Sequence, residues 1–404
     1  MQYNVGVRRK GWEESRMQGR RSRRAGRFRS LAGSLLALLN RATASSGHPR
    51  GSQAGAAPKP IALALQGGGS HGAFTWGVLD RLLEEDCLKI EAISGASAGA
   101  MNAVVLASGY LEGGRDAART ALARLWQSVA EIGRLAPLGS NPLAHLLGGE
   151  LGDWLSGNGL QFLTRLASPY QLNPLDLNPL RSLLEELVDF DRLRRNRRIR
   201  LFVSATNVHT GSPRLFANRE LSCDVLLASS CLPSLHRAVE IDGAHYWDGG
   251  FTANPAIFPL IRHAGCADIV TVHIDTQGHP GLPVTGREIS NRLERIMTNA
   301  PLLREIQTIA DLRALADPGS KFGRRLRGLA LHHILPPEDM AQFETSSKLN
   351  VDGPFLARLR DIGRDTAENW LVENFDRIGT GSAATLESSL FSPSHAARLA
   401  EGRI

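Results

Sequence analysis

The sequence is short of cysteine, with 4 in 404 residues, and Cys87, Cys223, Cys231 and Cys266 form neither a CxxC pair nor a cluster with histidine at metal-ligand spacing. That excludes a disulfide framework and a zinc module, and it points to buried thiols in a reducing compartment. Long apolar runs are missing too. The stretch at 31–39, LAGSLLALL, is far short of the roughly 20 residues that span a bilayer. Nucleic-acid signatures are also lacking: there is no zinc-finger spacing, no RNP pattern and no basic recognition helix.

Acidic residues are nearly absent from the first 60 positions, where 13 Arg or Lys face only Glu13 and Glu14. This arm carries a net charge of +11 out of +7 for the chain, which leaves the remainder at −4. The basic character therefore belongs to a terminal arm and not to a recognition surface of the body, so nucleic acid is not an expected partner. Residues 1–60 read as a disordered basic arm and linker, Ser/Gly/Ala/Pro-rich from 42 on. A basic stretch, an apolar stretch and Ala42-Thr43-Ala44 have the outline of a signal peptide, but Arg41 beside the cleavage point and the long basic lead argue against export. A cytoplasmic protein is expected, with the arm as a candidate for peripheral contact with anionic lipid.

What is present is an ordinary globular body, 42% hydrophobic over the chain, in which strands and helices alternate. Apolar runs at 61–66 and 90–94 read as strands, and helical spacing at 74–83, 98–107 and 116–129 reads as helices. Further on, 199–205, 214–217 and 269–274 read as strands, 239–247 as a hairpin around Asp242-Gly243, and SCDVLLASSCLPS as a helix stopped by Pro233. The pattern from 287 on is mainly helical. Such alternation predicts an α/β protein with a mainly parallel sheet covered by helices.

Two glycine motifs occupy the strand-to-helix turns. In ALALQGGGSHGAF, residues 62–74, Gly67, Gly69 and Gly72 satisfy G-x-G-x-x-G, and their backbone amides suit either a nucleotide phosphate or an oxyanion. A kinase-type phosphate loop is excluded, because Ala73 and Phe74 stand where Lys and Ser/Thr are needed. A dinucleotide site requires an acidic residue at the end of the second strand, and here that end runs straight into SGASAGA. Gly95-Ala96-Ser97-Ala98-Gly99 is G-x-S-x-G, a sharp turn that lifts a serine hydroxyl above a sheet at a helix start. A base for that serine is less obvious. His236 and His245 read as ordinary polar residues, and Asp248-Gly249-Gly250, alone, reads as a common Asp-Gly turn.

Taken in order, GGGSHG, GASAG and DGG, with ASSCLPSLHRAVEIDGAHYWDGGFTANPAIFPLI around the aspartate, resemble the patatin-like phospholipase family over residues 61–267. The resemblance implies a three-layer α/β fold with a mainly parallel central sheet, residues 61–267 as the catalytic domain, and 268–404 as a last core strand with a helical extension. It implies Ser97 as nucleophile, Asp248 as proton acceptor, Gly67, Gly68, Gly69 and Gly72 as the oxyanion loop, Gly95 and Gly99 as the nucleophile elbow, and Gly249 and Gly250 after the base. No metal or cofactor is implied. The loop is thereby assigned to an oxyanion.

One departure stands out: His71 occupies the place where the family usually has Arg or Lys, which leaves open a loop that depends on pH near 6.5, a weaker anion site, or a bystander histidine. The expected activity is hydrolysis of carboxylic esters of lipids, phospholipids or lysophospholipids foremost. The alternative is a catalytically weak protein that binds lipid granules or membrane surfaces. The stretch 137–179, too apolar for a solvated loop, is expected either to cover the Ser97 site, with Trp154 and Phe162 as acyl contacts, or to pack those residues into the core.

Overall fold

The computed structural model describes residues 57–135, 168–172, 178–276 and 281–381. Most of the basic arm, and most of the 137–179 stretch with Trp154 and Phe162, lie outside the described residues.

Strand β1 (Lys59–Leu65) sends Ile61, Leu63 and Leu65 to one face and Ala62 and Ala64 to the other, the two-residue period of a strand buried on both sides. A single 3-10 turn, Gly69–His71, leads into helix α1 (Gly72–Leu82). Strand β2 (Leu88–Ala96) runs into helix α2 (Ala98–Leu135), in which the two helices expected from the sequence join across a kink at Gly113 and Gly114. Helices α3 (Pro179–Leu187), started by an Asn178 cap and Pro179, and α4 (Phe190–Arg195), capped by Asp189, lead to β3 (Arg200–Asn207). Strand β4 (Pro213–Ala217) precedes helix α5 (Cys223–Ser229), and β5 (Val239–Ile241) and β6 (Ala244–Asp248) form the hairpin. Helix α5 ends short of Pro233, because the Ser230 hydroxyl turns back onto the Leu226 carbonyl.

After helix α6 (Phe258–His263) and strand β7 (Asp268–Val272) come α7 (Gly286–Leu315), opened by a Thr285–Glu288 capping box, and α8 (Lys321–Arg327). The region expected to be helical then contributes another strand, β8 (Ala330–Ile334), before α9 (Gly353–Asn374). So β7 is not the last strand. Its edge is extended by β8, whose His332 is buried against Asp268 at 2.9 Å.

The strand order is β5-β6-β3-β2-β1-β7-β8, with β4 paired to β3. Pairs among β1, β2, β3, β7 and β8 are parallel, and those of β3 with β4 and β6, and β5 with β6, are antiparallel. One apolar layer packs α1, α2 and α9 on the face of Ile61, Leu63 and Leu65. The other packs α6, α7 and α8 on the face of Ala62 and Ala64. This is a three-layer α/β fold with a mainly helical C-terminal region. Cys223, Cys231 and Cys266 are buried free thiols, and Cys87 is half-buried. No helix among the described residues is long and apolar enough to cross a membrane.

Candidate active site

Parallel neighbours β1 and β2 end side by side, Leu65 opposite Gly95, so the glycine loop and the serine turn emerge at one edge of the sheet. Ala96 pairs with Ser204 on β3, and Ala205 pairs with Asp248 on β6. The register therefore gathers Gly67–Gly69, Ser97 and Asp248 at that edge, although they lie far apart in sequence.

Ser97 has φ of +52°, one of two non-glycine residues with positive φ among those described. Backbone of this kind is disfavoured for an L-residue and persists where the surroundings impose it. Here they do: Gly95 and Gly99 pack so closely that a Cβ on Gly95 would lie 2.6 Å from the Gly99 carbonyl carbon, and the Ser97 amide donates to Ser229 Oγ at 2.9 Å. Gly67 allows the same crowding from the other side, where a Cβ would stand 2.6 Å from the Ala96 carbonyl oxygen and 2.8 Å from Ser97 Cβ.

Asp248 is 5% exposed. Burial pushes its carboxyl up from 3.8 to about 6, against hydrogen bonds from the Gly250 amide and the Ser97 side chain and the field of Lys348, all of which favour the ionised form. The Gly250 amide donates to Oδ1 at 2.7 Å, so the two glycines after the aspartate let the chain fold back onto its carboxylate. Gly249 packs against the Ser204 carbonyl, and Gly72 against Ala98. His245 faces elsewhere, with Nε2 3.9 Å from Glu240 and its ring against His209, as three residues' separation on a strand requires.

The loop amides are not equivalent. The Gly67 amide donates to Asn254 Oδ1 at 2.7 Å, whereas the Gly68 and Gly69 amides have no protein acceptor among the described residues. Gly69, at φ +56°, bears against the Lys348 carbonyl. Below the loop, Gln66 takes the Ile274 amide at 2.7 Å and gives its own to Asn299 Oδ1 at 2.7 Å, while Asn254 Nδ2 reaches the Thr298 carbonyl on α7 at 3.1 Å.

Sequence reasoning singled out none of these supports, nor the buried pair of Lys348 Nζ with Asp275 Oδ2 at 2.9 Å. His71 behaves differently from the expectation. It is 3% exposed, packed between Phe343 and Phe355, with Nε2 2.7 Å from Ser347 Oγ. Burial, reinforced by Lys348, lowers it to about 4, so it is neutral near pH 6.5 and supplies no titrating charge there. The cation beside the loop is Lys348, brought in by the C-terminal region.

A serine held in a strained turn, a buried carboxylate beside it and two loop amides without an acceptor among the described residues thus stand together at one edge of an α/β sheet. The family model described as patatin-like phospholipase matches residues 63–261, and this part of the chain is a patatin-like phospholipase domain, by family a lipid hydrolase. Among solved structures, VipD from Legionella pneumophila is 16% identical with a TM-score of 0.34, over 78% of this chain and 67% of that one. ExoU, in its heterodimeric complex with SpcU from the type III secretion system of Pseudomonas aeruginosa, is 18% identical with a TM-score of 0.34, over 80% of this chain and 53% of that one. This chain thus corresponds to about half the length of ExoU. No curated protein matches the sequence.

Proposed function

We propose that this protein is a serine acyl hydrolase of lipid carboxylic esters, phospholipids or lysophospholipids foremost, with Ser97 as nucleophile and Asp248 as proton acceptor. The observation that carries the reading is the strained Ser97 turn beside a buried carboxylate raised to about 6. A free carboxylate is a weak base, and desolvation brings this one closer to working pH. In the proposed reaction Ser97 Oγ attacks the ester carbonyl carbon, its proton passes to Asp248, and the carbonyl oxygen becomes an anion facing the Gly68 and Gly69 amides. Collapse expels the alcohol with that proton and leaves an acyl-serine. Water, deprotonated by Asp248, then attacks the acyl carbon, frees the fatty acid and restores Ser97.

The surface beside the site suits a lipid substrate. Helix α7 turns its Asn299 face to the loop and leaves Ile289, Leu293, Ile296 and Met297 exposed within the three turns before it, with Phe251 exposed just after Asp248 and its two glycines. Contact of this ridge with a lipid aggregate is part of the proposal. A fluorophosphonate probe tests the chemistry: it should label the peptide holding Ser97 in the full chain and leave Ser97→Ala unlabelled. Label at another residue, or no turnover of any ester, sinks the reading and favours a protein that only binds lipid surfaces.

A further inference from the structure

The opposite edge of the sheet carries the densest positive charge of the body. In RLRRNRRIR, residues 192–200, Arg192, Arg195, Arg197, Arg198 and Arg200 are exposed, and among the described residues none has a carboxylate partner. Many other arginines of the body either pair with carboxylates, as in Arg119 with Asp80 and Glu84, Arg181 with Asp224, and Arg214 with Glu220, or donate to backbone carbonyls, as do Arg324, Arg325 and Arg327. A body with net charge −4 beyond the arm has carboxylates to spare, so five uncompensated guanidinium groups within nine residues are held against their own repulsion.

They are also held in place. Leu193 and Ile199 anchor the segment in the core, each at most 1% exposed. Between them Asn196 fixes the turn, with Oδ1 accepting the Arg198 amide at 2.6 Å and Nδ2 donating to the Ile199 carbonyl at 2.9 Å. Asn218 donates to the same carbonyl at 3.1 Å. Arg192, Arg195, Asn196, Arg197 and Arg198, with Leu111 of α2, line a shallow, largely open recess at the surface.

We propose that this recess is a binding site for a soluble anion bearing several phosphoryl groups. Guanidinium forks match phosphoryl oxygens in pairs, and a rigid turn presenting several of them suits a multiply charged ligand better than a single carboxylate. A lipid headgroup offers the same chemistry, but the topology speaks against it. Arg200 opens β3 opposite Ala92, five residues before the Ala205 that pairs with Asp248, which is about 17 Å along the strand. A membrane gripping this edge would hold the Ser97 edge and the exposed face of α7 away from itself.

Calorimetric titration of the full chain with tripolyphosphate tests the site, independently of any esterase activity. Arg197→Glu with Arg198→Glu should weaken binding by about tenfold or more, since two charge-assisted contacts are lost. Arg23→Glu with Arg24→Glu, the same charge change placed in the basic arm, should weaken it by less than about twofold, because the recess is lined by other residues and screening weakens charges that make no direct contact. Arg197→Gln with Arg198→Gln, at an unchanged melting temperature, should show the same ranking and guards against misfolding. Equal weakening by the arm and turn variants, or no binding of tripolyphosphate, overturns the site. Binding of vesicles of phosphatidylcholine and phosphatidylinositol bisphosphate without binding of tripolyphosphate overturns it as a site for a soluble ligand.

Discussion

Asp248→Asn should abolish turnover and stabilise the fold, two effects with one cause. The wild-type carboxyl is fully buried, and its pKa lies at about 6 instead of 3.8. For a group raised on folding, the stabilisation from its protonated form is complete below 3.8 and is lost as pH rises through about 6. Above that, holding the charge costs the folded state about 3 kcal/mol, from the gap between the two values. Asparagine removes the charge and keeps an oxygen for the Gly250 amide, but it forfeits the strength of charge-assisted bonds. A net gain of roughly 1 to 2 kcal/mol remains, or a melting temperature higher by about 2 to 5 °C.

The assay is differential scanning fluorimetry of both proteins across pH. The variant's advantage should be full above about pH 6 and vanish near pH 4. Turnover should fall by about a thousandfold or more, since one half of a proton-transferring unit is gone. The wild-type acid limb of kcat/KM should lie near 6, because only ionised Asp248 accepts the serine proton. A variant less stable at every pH, or a limb near 4, would refute the claim that burial tunes this group.

Three further outcomes follow from the surroundings. Lys348→Met removes a cation that holds Asp248 down, so the acid limb should move to higher pH; it also strands Asp275, at a cost of about 3 to 5 kcal/mol, which adding Asp275→Asn should relieve without returning the limb. A limb that stays put in both variants would make the pair a purely structural brace. His71→Arg should lose activity and stability together, because it forces a second cation into the aromatic pocket beside Lys348, and retained activity at a wild-type melting temperature would contradict the burial of that ring. Leu293→Asp with Met297→Asp, both on the exposed face of α7, should slow hydrolysis of aggregated lipid and spare a short soluble ester; equal loss on both would exclude the ridge as a lipid contact.

The core of the fold and the loop-and-serine edge were legible because their signals are local. Ile61 to Leu65 is buried on both faces and reads as an unbroken apolar run, and each glycine motif lies within one strand-to-helix turn. Strand β8 was not legible, since ALHHI carries two histidines and its burial depends on pairing with β7 and on Asp268. The break between the helices expected at 98–107 and 116–129 was legible, since Gly113 and Gly114 leave helical backbone there. The His71 expectation failed for a tertiary reason: an imidazole's charge at neutral pH depends on what encloses it, and Phe343, Phe355 and Lys348 arrive from more than 270 positions away.

The same distance separates a glycine motif from the assignment of its donors. A G-x-G-x-x-G loop and a helix starting at a serine each offer unpaired amides, and the sequence gives no ground for choosing among them. The choice is made by side chains elsewhere in the chain. Asn254, 187 positions on, occupies the Gly67 amide, and Ser229, 132 positions on, occupies that of Ser97. These two bonds tie the loop to α7 through the Thr298 carbonyl and the serine turn to α5, so both rims of the site are fixed before any ester arrives. Gly68 and Gly69 are left without an acceptor among the described residues, with Ile274 against the first and the Lys348 carbonyl against the second, and in the proposed reaction they face the oxyanion. An oxyanion hole acts by holding its donors in position ahead of the charge. Under the proposed mechanism that holding falls to Asn254, Ser229 and the C-terminal segment around Lys348, and the last of these lies beyond residues 63–261.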